Sequence, residues 1–254
     1  MAAQPASLID TLGVREGIVC TVGAGGKKSL LYQLVREHPG RVAMTATSHT
    51  TEFPPDLDVE QIVDDEAMLR RRIAAVDPLR SVAYACPSSK AGRLAGVSEE
   101  MIRTIHAEGG FAATFVKADG ARMRWIKAPG EHEPMVMTAA DVLVPVVSAR
   151  VIGEPLSDRV AHRAAQLAAV TGVAPGMPLT PEAVGRLLAS NDGALRRAGH
   201  ARIMPVINMV DDAQTERLAR AAASAALAMT ARFDCVVLCC LRRPAAPVVA
   251  VVTR

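Results

Sequence analysis

The chain has 254 residues, half of them hydrophobic, 22% charged and 3% aromatic, with 29 Lys and Arg against 26 Asp and Glu for a formal net charge of +3. These values exclude a disordered chain, which needs low hydrophobicity with high net charge, and a collagen-like one, which needs far more than 18 Gly and 16 Pro. The small net charge and scarce aromatic rings argue against a nucleic-acid partner, and five cysteines, an odd number, argue against a disulfide framework.

Met1 to Asp10 lacks the charged and then apolar pattern of a secretory signal. The longest apolar stretch, Ala221 to Ala231, falls short of the ~20 helical residues that span a bilayer. A cytoplasmic protein with reduced thiols and no membrane partner is expected. Gly17 to Val22 is a β-branched strand that runs into the glycines Gly23 to Gly26, and Ser29 to Arg36 has helical spacing. Arg41 to Thr45 reads as a strand, Glu66 to Val76 as a helix stopped by Pro78, and Ser81 to Cys86 as a strand. Glu99 to Ala107 is a helix ending at Gly109 and Gly110, followed by strands at Ala112 to Val116 and Asp141 to Val147. Ser157 to Val170 and Thr180 to Ser190 read as helices of a small insert, 153–200. Arg202 to Ile207 is a strand, Asp212 to Arg232 a long Ala-rich helix, and Val236 to Leu241 and Val248 to Val252 the last strands. Apolar strands alternating with helices predict one α/β domain over 1–254, a doubly wound, mostly parallel sheet of P-loop NTPase type, with ligands at the carboxyl ends of the strands.

Four stretches carry chemistry. In Val22-Gly23-Ala24-Gly25-Gly26-Lys27-Lys28-Ser29, glycines let backbone amides approach phosphate, the helix N-terminus adds partial positive charge, and Lys27 supplies a full one. The spacing G-x-x-G-K is a compact variant of the longer phosphate loop, and the alternative is an ordinary strand-to-helix turn with surface lysines. Ala112 to Arg122 delivers Asp119 at a strand end, as a holder of Mg²⁺ or its water or else as an Asx turn. Lys127 to Pro134 brackets Glu131, His132 and Glu133 between prolines, a candidate acid-base group or a solvated loop. Met204 to Asp211 could present Asn208 and Asp211 to a nucleotide base, although Asp211 as a helix cap explains that residue equally well. Cys235, Cys239 and Cys240 read as buried inert thiols rather than reactive ones.

Taken in order, V-G-A-G-G-K, T-A-T-S-H, A-D-G-A-R, K-A-P-G-E-H-E-P, His162-Arg163 and I-N-M-V-D resemble the YqeC-type selenium-dependent hydroxylase accessory proteins, over roughly Val14 to Asp211. The resemblance implies a P-loop nucleotide-binding fold and a part in maturing selenium-containing molybdenum hydroxylases, with a hydroxylase or its cofactor-assembly proteins as partner. It implies ATP or GTP as ligand and weak hydrolysis. Gly23, Ala24, Gly25, Gly26, Lys27, Lys28, Ser29, Thr45, Thr47, His49, Asn208 and Asp211 would bind the nucleotide. Asp119, Glu131, His132 and Glu133 would act in catalysis, and Ser29 and Asp119 would hold Mg²⁺. Three positions depart from the expected pattern: Lys28 replaces a Thr, Ala46 interrupts Thr45, Thr47 and Ser48, and Lys117 replaces an acid. The two lysines exchange Mg²⁺-side oxygens for ammonium groups, which leaves Mg²⁺ binding open. An ATP-dependent ligase or kinase of a small acid, and a non-hydrolysing phosphate-binding scaffold, are the alternatives.

Overall fold

The structure, a computed structural model, describes residues 7–254, so of the N-terminal segment read above, Met1 to Ala6 lie outside the described residues. In chain order the elements are α1 (Leu8–Leu12), β1 (Gly17–Gly23), α2 (Lys27–Glu37), β2 (Val42–Ala46), β3 (Thr50–Thr51), β4 (Glu60–Val63), α3 (Glu66–Ala74) and β5 (Val82–Pro87). There follow β6 (Arg93–Ala95), α4 (Glu99–Glu108), β7 (Ala113–Lys117), β8 (Ile126–Lys127), β9 (Val142–Ser148), a 3-10 turn (Ala149–Val151), β10 (Ala161–His162) and α5 (Ala164–Thr171). The last are α6 (Pro181–Ala189), β11 (Arg202–Ile203), β12 (Val206–Asn208), α7 (Ala213–Met229), β13 (Cys235–Cys239) and β14 (Val248–Thr253).

One large sheet runs β14-β13-β12-β9-β1-β7-β2-β5-β6-β3, with β11 joined to β9 and β4 to β5. Its central strands are parallel and buried on both faces, which is why they read as continuous apolar runs rather than alternating ones. Side chains alternate between two cores. Ile18, Cys20 and Val22 of β1 face the layer of α3 to α7, while Val19 faces α1 and α2. Because β1, β2, β7, β9 and β12 run in one direction, Gly23, Ala46, Lys117, Ser148 and Asn208 end along one edge, with Gly23 opposite Val146 and Asn208 opposite Ser148.

The sheet is mostly parallel, as expected, and antiparallel only at its two ends, where β14 pairs with β13, β6 with β5, and β3 with β6. Three other expectations are corrected. The helix expected from Ser157 starts only at Ala164, because the preceding backbone is captured by a neighbour. Val160 O accepts from Trp125 N and Ile126 N, and β10 lies parallel to β8 with His162 opposite Lys127. The strand expected over Arg202 to Ile207 is divided at Pro205, which has no N–H to donate, yet Arg202 opposite Val142 and Val206 opposite Val146 keep one register. Finally, the cap of α7 is Asp212, which exchanges hydrogen bonds with Thr215, and not Asp211.

The helices of the 153–200 region are fastened to the sheet through α7. Gly185 of α6 faces α7 so closely that an added Cβ would stand 2.8 Å from Ala225 Cβ and 2.9 Å from Ala226 N. Gly185→Val should therefore overpack this contact and lower stability by ~1–3 kcal/mol, read as a reduced urea midpoint at unchanged slope.

Candidate phosphate site

The glycine loop is tied to its neighbours before any ligand arrives. Gly23 N donates to Asp119 Oδ2 at 3.0 Å, Ala24 N to Val146 O at 2.8 Å and Gly25 N to Arg124 O at 3.1 Å. Gly25 needs its positive φ of 87°, and a Cβ there would stand 2.5 Å from Ser148 N and 2.9 Å from Trp125 O. Asn208 Nδ2 donates to Gly25 O at 2.8 Å, and its Oδ1 accepts from Leu241 N. Three amides read as phosphate donors are thus engaged by protein acceptors. The first helical bond of α2 runs from Leu30 N to Gly26 O, so the amides of Gly26, Lys27, Lys28 and Ser29 precede it, with no capping side chain at Gly26.

Beneath the loop lies a buried ionic cluster. Lys27 is 5% exposed and Asp119 2%. Lys27 Nζ donates to Gly23 O and lies 2.9 Å from Asp119 Oδ1. Lys127 Nζ lies 2.9 Å from Asp119 Oδ2 and donates to Gly120 O at 2.6 Å and Glu133 Oε2 at 2.5 Å. Arg163 Nη1 reaches the same Glu133 oxygen at 2.5 Å. Lys117 does not pair with Asp119; its ammonium donates to Ser48 Oγ at 3.1 Å and His49 O at 2.8 Å. Lys28 Nζ donates to Thr51 Oγ1 at 2.7 Å.

Cations outnumber acids here, and the titrations follow. Burial lowers the Lys27 ammonium, with Asp119 acting against it. Burial and then repulsion from Lys27 bring Lys117 down to about 8. Burial, then Arg163 and Lys127, brings His162 down to about 4, so its imidazole is neutral at pH 7. Burial raises the Glu133 carboxyl, but hydrogen bonds from Arg163 and Lys127 outweigh this and hold it at about 2.

The structure brings Gly23 to Ser29, Asp119 and Glu133 together and leaves other candidates apart. Glu131 and His132 are exposed, and Arg196 and Arg197 hold only their carbonyls. Thr45 donates to Tyr84 O within the sheet and Thr47 to Met135 O, while His49 is exposed. Asp211 pairs with Arg150 and accepts from Cys240. Burial raises the Cys20 and Cys239 thiols to about 12, against any reactivity. Lys127 and Arg163 were missed as site residues. A lone Lys in the apolar W-I-K-A-P run was the available signal.

The proposed Mg²⁺ ligands do not fit a resident metal. Ser29 is exposed, Asp119 is flanked by two ammonium groups, and among the described residues no group of three or more His, Cys, Asp or Glu converges on a metal position. Asp119→Asn should leave Lys27 and Lys127 without their buried counter-charge and cost ~3–5 kcal/mol, measurable by urea unfolding. Acid should weaken the fold in two windows. His162 takes up its proton in the unfolded chain first, so stability falls as pH drops from 6.5 to about 4, and Glu133 adds a loss from 4.5 toward about 2. Unfolding free energy against pH should flatten in the upper window for His162→Asn and in the lower for Glu133→Gln.

A family model described as YqeC protein matches residues 19–165. An uncharacterized YqeC protein of Escherichia coli (strain K12) is 27% identical over 198 residues, which cover 76% of each chain. The match to the family model takes in the glycine loop, Asp119, Lys127, Glu133 and Arg163 and spans more than half of the sequence, so the chain belongs to the YqeC family.

Proposed function

We propose that the protein binds the phosphates of a nucleoside triphosphate, ATP or GTP, at the N-terminus of α2. The observation that carries this reading is the surplus of buried and half-buried ammonium groups beside uncapped helix amides. Lys27 and Lys117 are buried and Lys28 half-buried, Lys27 and Lys28 both lower the Lys117 titration, and each of the three has more N–H donors than hydrogen-bond partners. A polyanion would relieve their repulsion and satisfy those donors. The compact G-x-x-G-K spacing supports a P-loop relationship for this fold. Asn208 supports the loop from behind rather than reading a base.

The resemblance to the selenium-dependent hydroxylase accessory proteins supports a role in maturing a molybdenum hydroxylase, with nucleotide binding as the event that the partner senses. Turnover would be slow, because Glu131 and His132, the acid-base candidates, stand out in solvent. Of the alternatives, the binding scaffold is favoured over the ligase on that ground.

Titration calorimetry tests the reading. ATP or GTP should bind the unmodified protein, and Lys27→Ala should weaken binding by about tenfold to over a hundredfold, as one charge-assisted phosphate contact of ~1.5–3 kcal/mol is lost. Equal affinity in the variant would refute the assignment of Lys27.

A further inference from the structure

Lys127 differs from the other lysines of the cluster. Its side chain is 1% exposed, and three oxygens surround its nitrogen, Gly120 O at 2.6 Å, Glu133 Oε2 at 2.5 Å and Asp119 Oδ2 at 2.9 Å. An ammonium has three N–H donors, so this all-oxygen shell matches its capacity in number and leaves no donor for a ligand. Two carboxylates from separate loops converging on one cation is the arrangement that a divalent metal would ordinarily organise. Here the cation is covalently part of the chain. Lys27 closes off the other oxygen of Asp119 at 2.9 Å, and Arg163 shares the Glu133 oxygen with Lys127. A second cation entering between them would face Lys27, Lys117, Lys127 and Arg163 at close range.

We infer that Lys127 takes the place of the divalent cation in this site, so that the protein binds polyphosphate without Mg²⁺. The acids Asp119 and Glu133 serve to hold that ammonium, and the ligand's charge is met by Lys27, Lys28 and Lys117 directly. Lys127 is thus a positioning residue that keeps Asp119 against the Gly23 amide and the loop in its bound shape. This rests on the phosphate-binding reading for its ligand, but the state of the acid pair can be tested without one.

Two measurements on the metal-stripped full chain test it. In calorimetric titrations ATP should bind in EDTA as tightly as in Mg²⁺, or more tightly, because Mg²⁺ removes charge from a ligand that the lysines recognise. A gain of about tenfold or more on adding Mg²⁺ would overturn the inference. Absence of ATP binding in both buffers would count against the phosphate site alone, and the second measurement then decides. Mn²⁺ followed by electron paramagnetic resonance should show no protein-bound signal with the unmodified chain and a bound signal once Lys127→Met or the milder Lys127→Gln frees the acid pair. Either variant, if folded by circular dichroism, suffices. Mn²⁺ bound by the unmodified protein and lost in Asp119→Asn would overturn the inference.

Discussion

The Asp119 carboxylate is the contact on which the site depends. It stands just past the end of β7, and through it the amide of Gly23, the ammonium of Lys27 and the ammonium of Lys127 are held together. Those groups belong to the end of β1, the start of α2 and the short strand β8, so one side chain sets the spacing of three elements. A parallel sheet makes this economical in geometry. All its central strands deliver their ends to one edge, and a single acid there can reach the backbone of the adjacent strand. Burying such a group is costly unless its charge is met, and two buried ammonium groups meet it.

The same cluster carries more positive than negative charge in a region of low exposure. Lys117, brought down to about 8 by burial and then by Lys27, lowers the fold's stability near neutral pH, while Glu133, held at about 2, adds to it. Any anion that binds only the folded chain would stabilise it in proportion to the logarithm of its concentration over its dissociation constant. On the phosphate-binding reading, stability and ligand recognition would draw on the same few side chains.

Local patterns carried the parts of the fold that local forces decide. The β-branched run before Gly23, the glycines themselves and the apolar spacing after Ser29 marked β1, the loop and α2, and the strand ending near Asp119 marked the acid. Lys127 and Arg163 were not legible in that way. Their meeting depends on β8 pairing with β10, strands of two residues each that are far apart in the chain, and on Arg163 adopting φ 66°, a left-handed conformation that no propensity favours for Arg. The helix expected from Ser157 failed for the same reason, since a long-range backbone pairing displaced a plausible local pattern. Glu131 and His132 were singled out by residue type, but they sit at the exposed tip of a turn closed by Glu133 N donating to Gly130 O at 3.1 Å, and only Glu133 turns inward.

The hydrogen bonds from Gly23, Ala24 and Gly25 to fixed acceptors have a consequence for how a ligand is captured. A loop already fastened at three successive residues, and from behind by Asn208, has little conformational freedom left to lose. On the phosphate-binding reading proposed above, capture would resemble entry into a finished mould: the entropy of ordering is met during folding, and the encounter would be governed by the pull of the lysines on a diffusing anion. Such a site would select by shape and charge, and rising salt would slow the anion's arrival as well as weaken its contacts with the lysines.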